Sequence, residues 1–181
     1  MKKIFVITIL SLLFFVMRVE AIVEAPVDIT AMGIEEVQSS LEKGYFTSEQ
    51  LVQMYLDRIE KYDGMFNSIN QINPNALSDA QKLDEERKNG NVRGILHGVP
   101  ILVKSNIDVV GIPTTAGTTA LNDNYPNANA PVVQKLINQG AIILGSTNMS
   151  ELAFSAQVSY SSYGHVKNAF NTEYTPYGSS G

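Results

Sequence analysis

Ala141-Ile142-Ile143-Leu144 is an unbroken apolar run closed on both sides by glycine, Gly140 and Gly145. A strand with one wet face alternates apolar and polar residues, and this run does not alternate. It reads instead as a short strand buried on both faces, which is the habit of parallel sheets covered by helices on either side. The residues before it supply such a helix. Ala130-Pro131 marks a start, with proline where a missing N–H costs nothing, and Gly140 marks the stop. Val132, Val133, Leu136 and Ile137 form its apolar side. Further upstream, Val99–Val103 and Ile107–Val110 are β-branched runs bracketed by glycine and proline, and both read as strands. Alternating strand and helix from Gly94 onward predicts an α/β fold with some parallel pairing.

The chain before Gly94 reads as helical. Ile29 to Gly44 predicts a first helix, with Ile34, Val37 and Leu41 on one face and Gly44 just past its end. Thr47-Ser48-Glu49-Gln50 is a capping box, in which the threonine and glutamine side chains each satisfy a backbone N–H at a helix start. Leu51, Tyr55, Ile59 and Tyr62 follow as the stripe of a second helix. Asn73-Pro74 opens a third, with Pro74 at its first position. It runs through the charged stretch Lys82–Lys88, read as a solvated face, to Asn89-Gly90.

The extreme N-terminus has a different character. Lys2 and Lys3 precede the apolar Ile4–Met17, and Val19-Glu20-Ala21 places small residues where a signal peptidase cuts. This predicts a signal peptide over residues 1–21, a secreted or periplasmic product and no stable membrane association after cleavage. An uncleaved anchor is the competing reading. Removing Lys2, Lys3, Arg18 and Glu20 from 13 basic and 18 acidic residues leaves ten and seventeen, a net charge of −7. Such an acidic surface argues against a nucleic-acid partner. There are no cysteines and only two histidines, His97 and His165. That excludes a disulfide framework, a thiol nucleophile and a cysteine- or histidine-rich metal site.

Two features carry chemistry. Lys104 ends the apolar Ile101-Leu102-Val103 run, where desolvation disfavours the ammonium and brings a neutral amine base within reach. A strand-end lysine that reaches out to water is the plainer alternative. Gly178-Ser179-Ser180-Gly181 surrounds two serines with glycines, which permit backbone shapes a β-carbon forbids and let N–H groups converge on an anion. On composition alone a flexible linker is the plainer reading. Taken together, the lysine and the serines suggest a Ser–Lys substitute for the histidine-centred triad.

Gly94-Ile95-Leu96-His97-Gly98-Val99-Pro100-Ile101-Leu102-Val103-Lys104-Ser105-Asn106-Ile107-Asp108 resembles the lysine motif of the amidase signature family. The resemblance continues through Gly111–Gly117, Ala130–Val133 and Gly140–Glu151 to Thr175-Pro176-Tyr177-Gly178-Ser179-Ser180-Gly181. It implies an α/β/α sandwich around a mixed sheet, incomplete here, preceded by a helical segment. Residues 22–181 would be the N-terminal part of one amidase domain. It also implies a Ser–cisSer–Lys triad with Lys104 as the base and Ser179 as the relay serine that follows a cis peptide bond. Met149, Ser180 and Gly181 would lie in the substrate and oxyanion region. The family's nucleophile is a second serine a short distance past the glycine–serine motif, so the expectation is a fragment that is inactive by itself. The implied substrate is a small-molecule or peptide amide, with no metal and no organic cofactor.

Three positions depart from the family pattern: Ser105 where aspartate is usual, Ser146 where lysine is usual, and Tyr177 where a small residue is usual. His97 and His165 read as packing or loop residues. Asn148-Met149-Ser150 is a glycosylation sequon of a kind that arises by chance. Ser40-Leu41-Glu42-Lys43 matches a penicillin-binding pattern without its partner motif. Two functional alternatives stay open: a truncated non-catalytic binding protein or degraded remnant, and the amidotransferase A-type subunit that makes glutaminyl-tRNA.

Overall fold

The computed structural model describes residues 28–155, 157 and 160–180. The predicted signal peptide, residues 1–21, and Gly181 lie outside them. The described helices and strands all belong to one compact unit, Ala31–Gly181.

Three helices and a strand come first: α1 (Ile34–Lys43), α2 (Ser48–Phe66), β1 (Ile69–Ile72) and α3 (Ala76–Lys88). They are followed by β2 (Pro100–Lys104), α4 (Pro131–Asn138) and β3 (Ile142–Thr147), with short 3-10 turns at Thr119–Leu121 and Glu151–Ala153. The sheet order is β1-β3-β2. β2 and β3 run parallel, as a strand–helix–strand unit requires, and β1 pairs antiparallel with the other edge of β3.

β3 is the apolar run of the sequence, and both of its faces are covered as predicted. Ile142 and Leu144 pack with Val52 of α2 and with Ala76, Ala80 and Leu83 of α3. Ile143 faces the other way, into Val103, Val109, Ile112 and Val133 of α4. The result is helix, sheet, helix. Each such fully buried aliphatic side chain contributes roughly 1.5–3 kcal/mol. Gly145 lets β1 approach: a β-carbon there would come within 2.3 Å of the Gln71 carbonyl oxygen.

The local signals hold where they are self-contained. Gln50 N–H donates to Thr47 Oγ1 at 3.1 Å, and Thr47 N–H donates to Gln50 Oε1 at 2.8 Å, completing the capping box. Pro131 is the first residue of α4, and Gly140 follows its last turn. Several boundaries differ. α1 begins at Ile34, not Ile29, because Glu36 Oε2 accepts the Gly33 N–H and sets the start there. Ile34 and Val132, expected inside, are exposed. Pro74 lies in a turn before α3, where Asn73 Oδ1 accepts the Asn75 N–H, and so it is not the helix's first residue. Ile107–Val110 is not a strand. The chain reverses at Val110-Gly111, leaving only a single bridge between Val109 and Ile112, while both side chains stay in the core. β1 has no counterpart among the elements that the sequence predicts.

Candidate active site

Lys104 is the last residue of β2 and lies opposite Thr147 at the end of β3. Pairing continues one residue further, where Ser105 N–H donates to the Thr147 carbonyl at 3.2 Å. The parallel register thus delivers the lysine to the carboxyl end of the sheet, where open α/β folds place their sites.

Past β3 the chain is locked by a single side chain. Asn148 is 1% exposed; its Nδ2 donates to the Asn67 carbonyl at 3.1 Å and to the Gly164 carbonyl at 3.2 Å. Its Oδ1 accepts the Met149 N–H at 2.9 Å. Every polar group of that amide is engaged, which leaves no free nitrogen for the sequon to offer. The fixed turn presents Ser150, whose N–H donates to the Ser179 carbonyl at 2.9 Å. This tie brings the glycine–serine segment onto the sheet end. Lys104 Nζ then reaches Ser179 Oγ at 3.3 Å across 75 positions of sequence. Ser150 lies within the Gly140–Glu151 stretch of the resemblance, but its tie cannot be read there, because it depends on a chain segment 29 residues away.

The surrounding backbone is strained. Ala116 (φ 47), Leu152 (φ 52) and Ala153 (φ 57) all occupy the left-handed region, which costs a β-carbon-bearing residue on the order of 1–3 kcal/mol. They are tied together: Leu152 N–H donates to the Ala116 carbonyl at 2.8 Å, and Ala116 N–H donates to the Ser105 carbonyl at 2.9 Å. Gly117 (φ 75) allows this crossing, since a β-carbon there would sit 2.5 Å from the Met149 carbonyl oxygen. Burial pushes the nearby Tyr163 hydroxyl above the ordinary phenol range.

The other sequence-derived positions fall as follows. Met149 is fully buried and its N–H is taken by Asn148, so this amide is not free to meet an oxyanion. Ser180 is exposed. Among the described residues no peptide bond is cis, so the Gly178–Ser179 bond is trans, unlike the cis bond that the family resemblance implies. A non-proline cis bond costs about 2.5–4 kcal/mol and needs surroundings that enforce it. His97 lies away from this centre. It is fully buried, accepts the Arg93 N–H at Nδ1 (3.1 Å) and donates from Nε2 to the Leu83 carbonyl (2.9 Å), so it is the neutral tautomer. Desolvation holds its pKa below the ordinary 6.5. Exposed His165 stacks edge-on against Tyr160. Among the described residues no group of three or more His, Cys, Asp or Glu side chains could hold a metal, and no helix is long and apolar enough to cross a membrane.

Comparison with known proteins identifies the family. The Amidase family profile matches residues 50–181. The chain is 37% identical over 151 residues to the A-type subunit of a glutamyl-tRNA(Gln) amidotransferase from Natranaerobius thermophilus, covering 83% of this chain and 31% of the relative. It is 38% identical over 153 residues to a putative amidase of Schizosaccharomyces pombe, covering 81% and 26%. Among solved structures, native peptide amidase from Stenotrophomonas maltophilia superposes with a TM-score of 0.79 at 34% identity, over 83% of this chain and 32% of that one. An amidase family protein from Bacillus anthracis gives 0.78 at 35%, over 84% and 32%. The chain thus spans about a third or less of each of these relatives. With its Lys104 and glycine–serine motifs brought to one sheet end and a family profile covering most of its length, the chain belongs to the amidase family.

Proposed function

We propose that these residues form the lysine-and-relay half of an amidase that hydrolyses a carboxamide C–N bond. The observation that carries this reading is the 3.3 Å approach of Lys104 Nζ to Ser179 Oγ. In the neutral state, Lys104 accepts the Ser179 hydroxyl proton as Ser179 takes one from a second serine, outside residues 1–181, which attacks the amide carbon. The relay then protonates the departing amine or ammonia, and water releases the acid from the acyl-enzyme. Residues 1–181 alone supply the base and the relay without the attacking oxygen, so by themselves they do not turn over amides. The apolar N-terminal run supports a secreted or periplasmic setting, with a small-molecule or peptide amide as substrate.

A second reading, an amidotransferase A-type subunit, draws on the identity to the Natranaerobius protein. The charge pattern and apolar run at residues 2–21 weigh against it.

The test joins residues 22–181 to the remaining two thirds of a related amidase and measures ammonia release from a panel of carboxamides. Activity that falls at least about 10³-fold in both Lys104→Ala and Ser179→Ala supports the relay. Activity that survives either change removes it. Release that requires glutamine together with an acceptor-bearing tRNA favours the amidotransferase. No release from any fusion favours a non-catalytic remnant.

A further inference from the structure

Three buried side-chain atoms on or beside the three strands make no hydrogen bond: Ser105 Oγ just after β2, Ser146 Oγ in β3 and Asn70 Nδ2 in β1. Ser105 is 1% exposed and Ser146 is 3% exposed. Leaving a buried hydroxyl unpartnered costs roughly 1–3 kcal/mol, and folded proteins tolerate few such groups. Here one falls on or beside each strand of the sheet.

The sheet register brings them together. Ser146 is the cross-strand partner of Val103, and Val103 packs on the α4 side of the sheet. Side chains alternate along a strand, so Ser105 shares that side with Val103, while Lys104 between them takes the other. The two serines are therefore diagonal neighbours on one face, at the end where the pairing closes with Ser105 N–H on the Thr147 carbonyl. Asn70 lies in β1 at the bulge that precedes the Gln71–Ser146 pair. It is joined to the same corner by Thr115, whose Oγ1 donates to Asn70 Oδ1 at 2.9 Å, while the next residue's N–H holds the Ser105 carbonyl.

We propose that Ser105 and Ser146, with Asn70, form one internal polar site that holds an ordered water behind Lys104. The chemistry fits a small neutral ligand. Each hydroxyl can donate or accept, the amide donates, and a buried water needs two to four such partners. The water ties the ends of β1, β2 and β3 together and fixes the strand end from which Lys104 reaches Ser179.

The test uses the full chain. Water–amide rotating-frame Overhauser NMR is expected to show a long-lived water at the Ser105 and Ser146 amides, lost in the Ser105→Ala/Ser146→Ala double variant. In urea unfolding, each single alanine variant is expected to lower the midpoint, because it strands the partner hydroxyl and the water. The double variant is then expected to lie no lower than the weaker single. Absence of a long-lived water at these amides overturns the proposal. So do single changes that leave the midpoint unchanged or raise it, or losses that simply add.

Discussion

The stretch from α1 to the end of β3 and the stretch after it are held in different ways. The first is organised around one strand whose side chains are covered on both faces, with Leu51, Val52, Val133 and Ile142 almost wholly inside. The second, residues 150–180, carries its large side chains outward: Phe154 is 95% exposed, Phe170 100% and Tyr177 82%. Its order comes from backbone and side-chain hydrogen bonds instead, such as Ser150 to Ser179, Asn168 N–H to the Tyr174 carbonyl, and Ser161 Oγ to the Gly117 carbonyl. The base of the site therefore stands on a packed scaffold, whereas its partner serine hangs from a hydrogen-bonded strap in which, among the described residues, Val166 is the one buried hydrophobic side chain. Tyr177 belongs to this exposed set as well.

This contrast can be broken by mutation. Ile142→Ala should cost about 2–5 kcal/mol, as a deep truncation in a shared core does, and should lower the urea midpoint of the whole unit. A loss under about 1 kcal/mol would mean that β3 is not the organising strand. A smaller effect is expected at His97, whose neutral ring links α3 to the loop before β2. Its pKa is lowered in the folded state, so the stability it confers is complete above about 6.5 and is lost as the pH falls below that value. Unfolding midpoints between pH 7.5 and 5 should fall in the parent and flatten in His97→Gln; a parallel fall in both would assign the acid sensitivity to other groups. The smallest effect belongs to the strap. Phe170→Ser should change stability by no more than about 0.5 kcal/mol, as expected for an exposed site. If it matched the cost of Ile142→Ala, the strap would have a core after all.

What can be read from the sequence follows the same division. The Thr47–Gln50 box, the Pro131 start and the Ala141–Leu144 run are complete in a few neighbouring residues, and each folds as read. β1 escapes such a reading because Ile69-Asn70-Gln71-Ile72 has too little alternation to announce a strand, and its pairing partner lies more than 70 residues away. Ile107–Val110 misleads for the opposite reason: Val109 is buried and Ile107 half-buried without a ladder, and Val110 is exposed. At the site, Lys104 and Ser179 are legible through the family resemblance, since position and composition alone point to a solvated lysine and a linker. The Asn148 clamp and the Ser150 tie are not, since both depend on chain segments that meet only in three dimensions.

The strand order also has a temporal consequence. β3 is the central strand, yet it is the last of the three to leave a ribosome, and both of its partners precede it. Until residue 147 has been made, β1 and β2 have nothing between them to pair with, and the apolar faces of α2 and α3 have no sheet to close on. Folding of this unit is gated by long-range pairing, the slow kind, and its helices are translated well before the strand they need. A nascent chain halted before β3 is thus a helical, sticky intermediate, and one halted just after it is the first that can hold Lys104 in place.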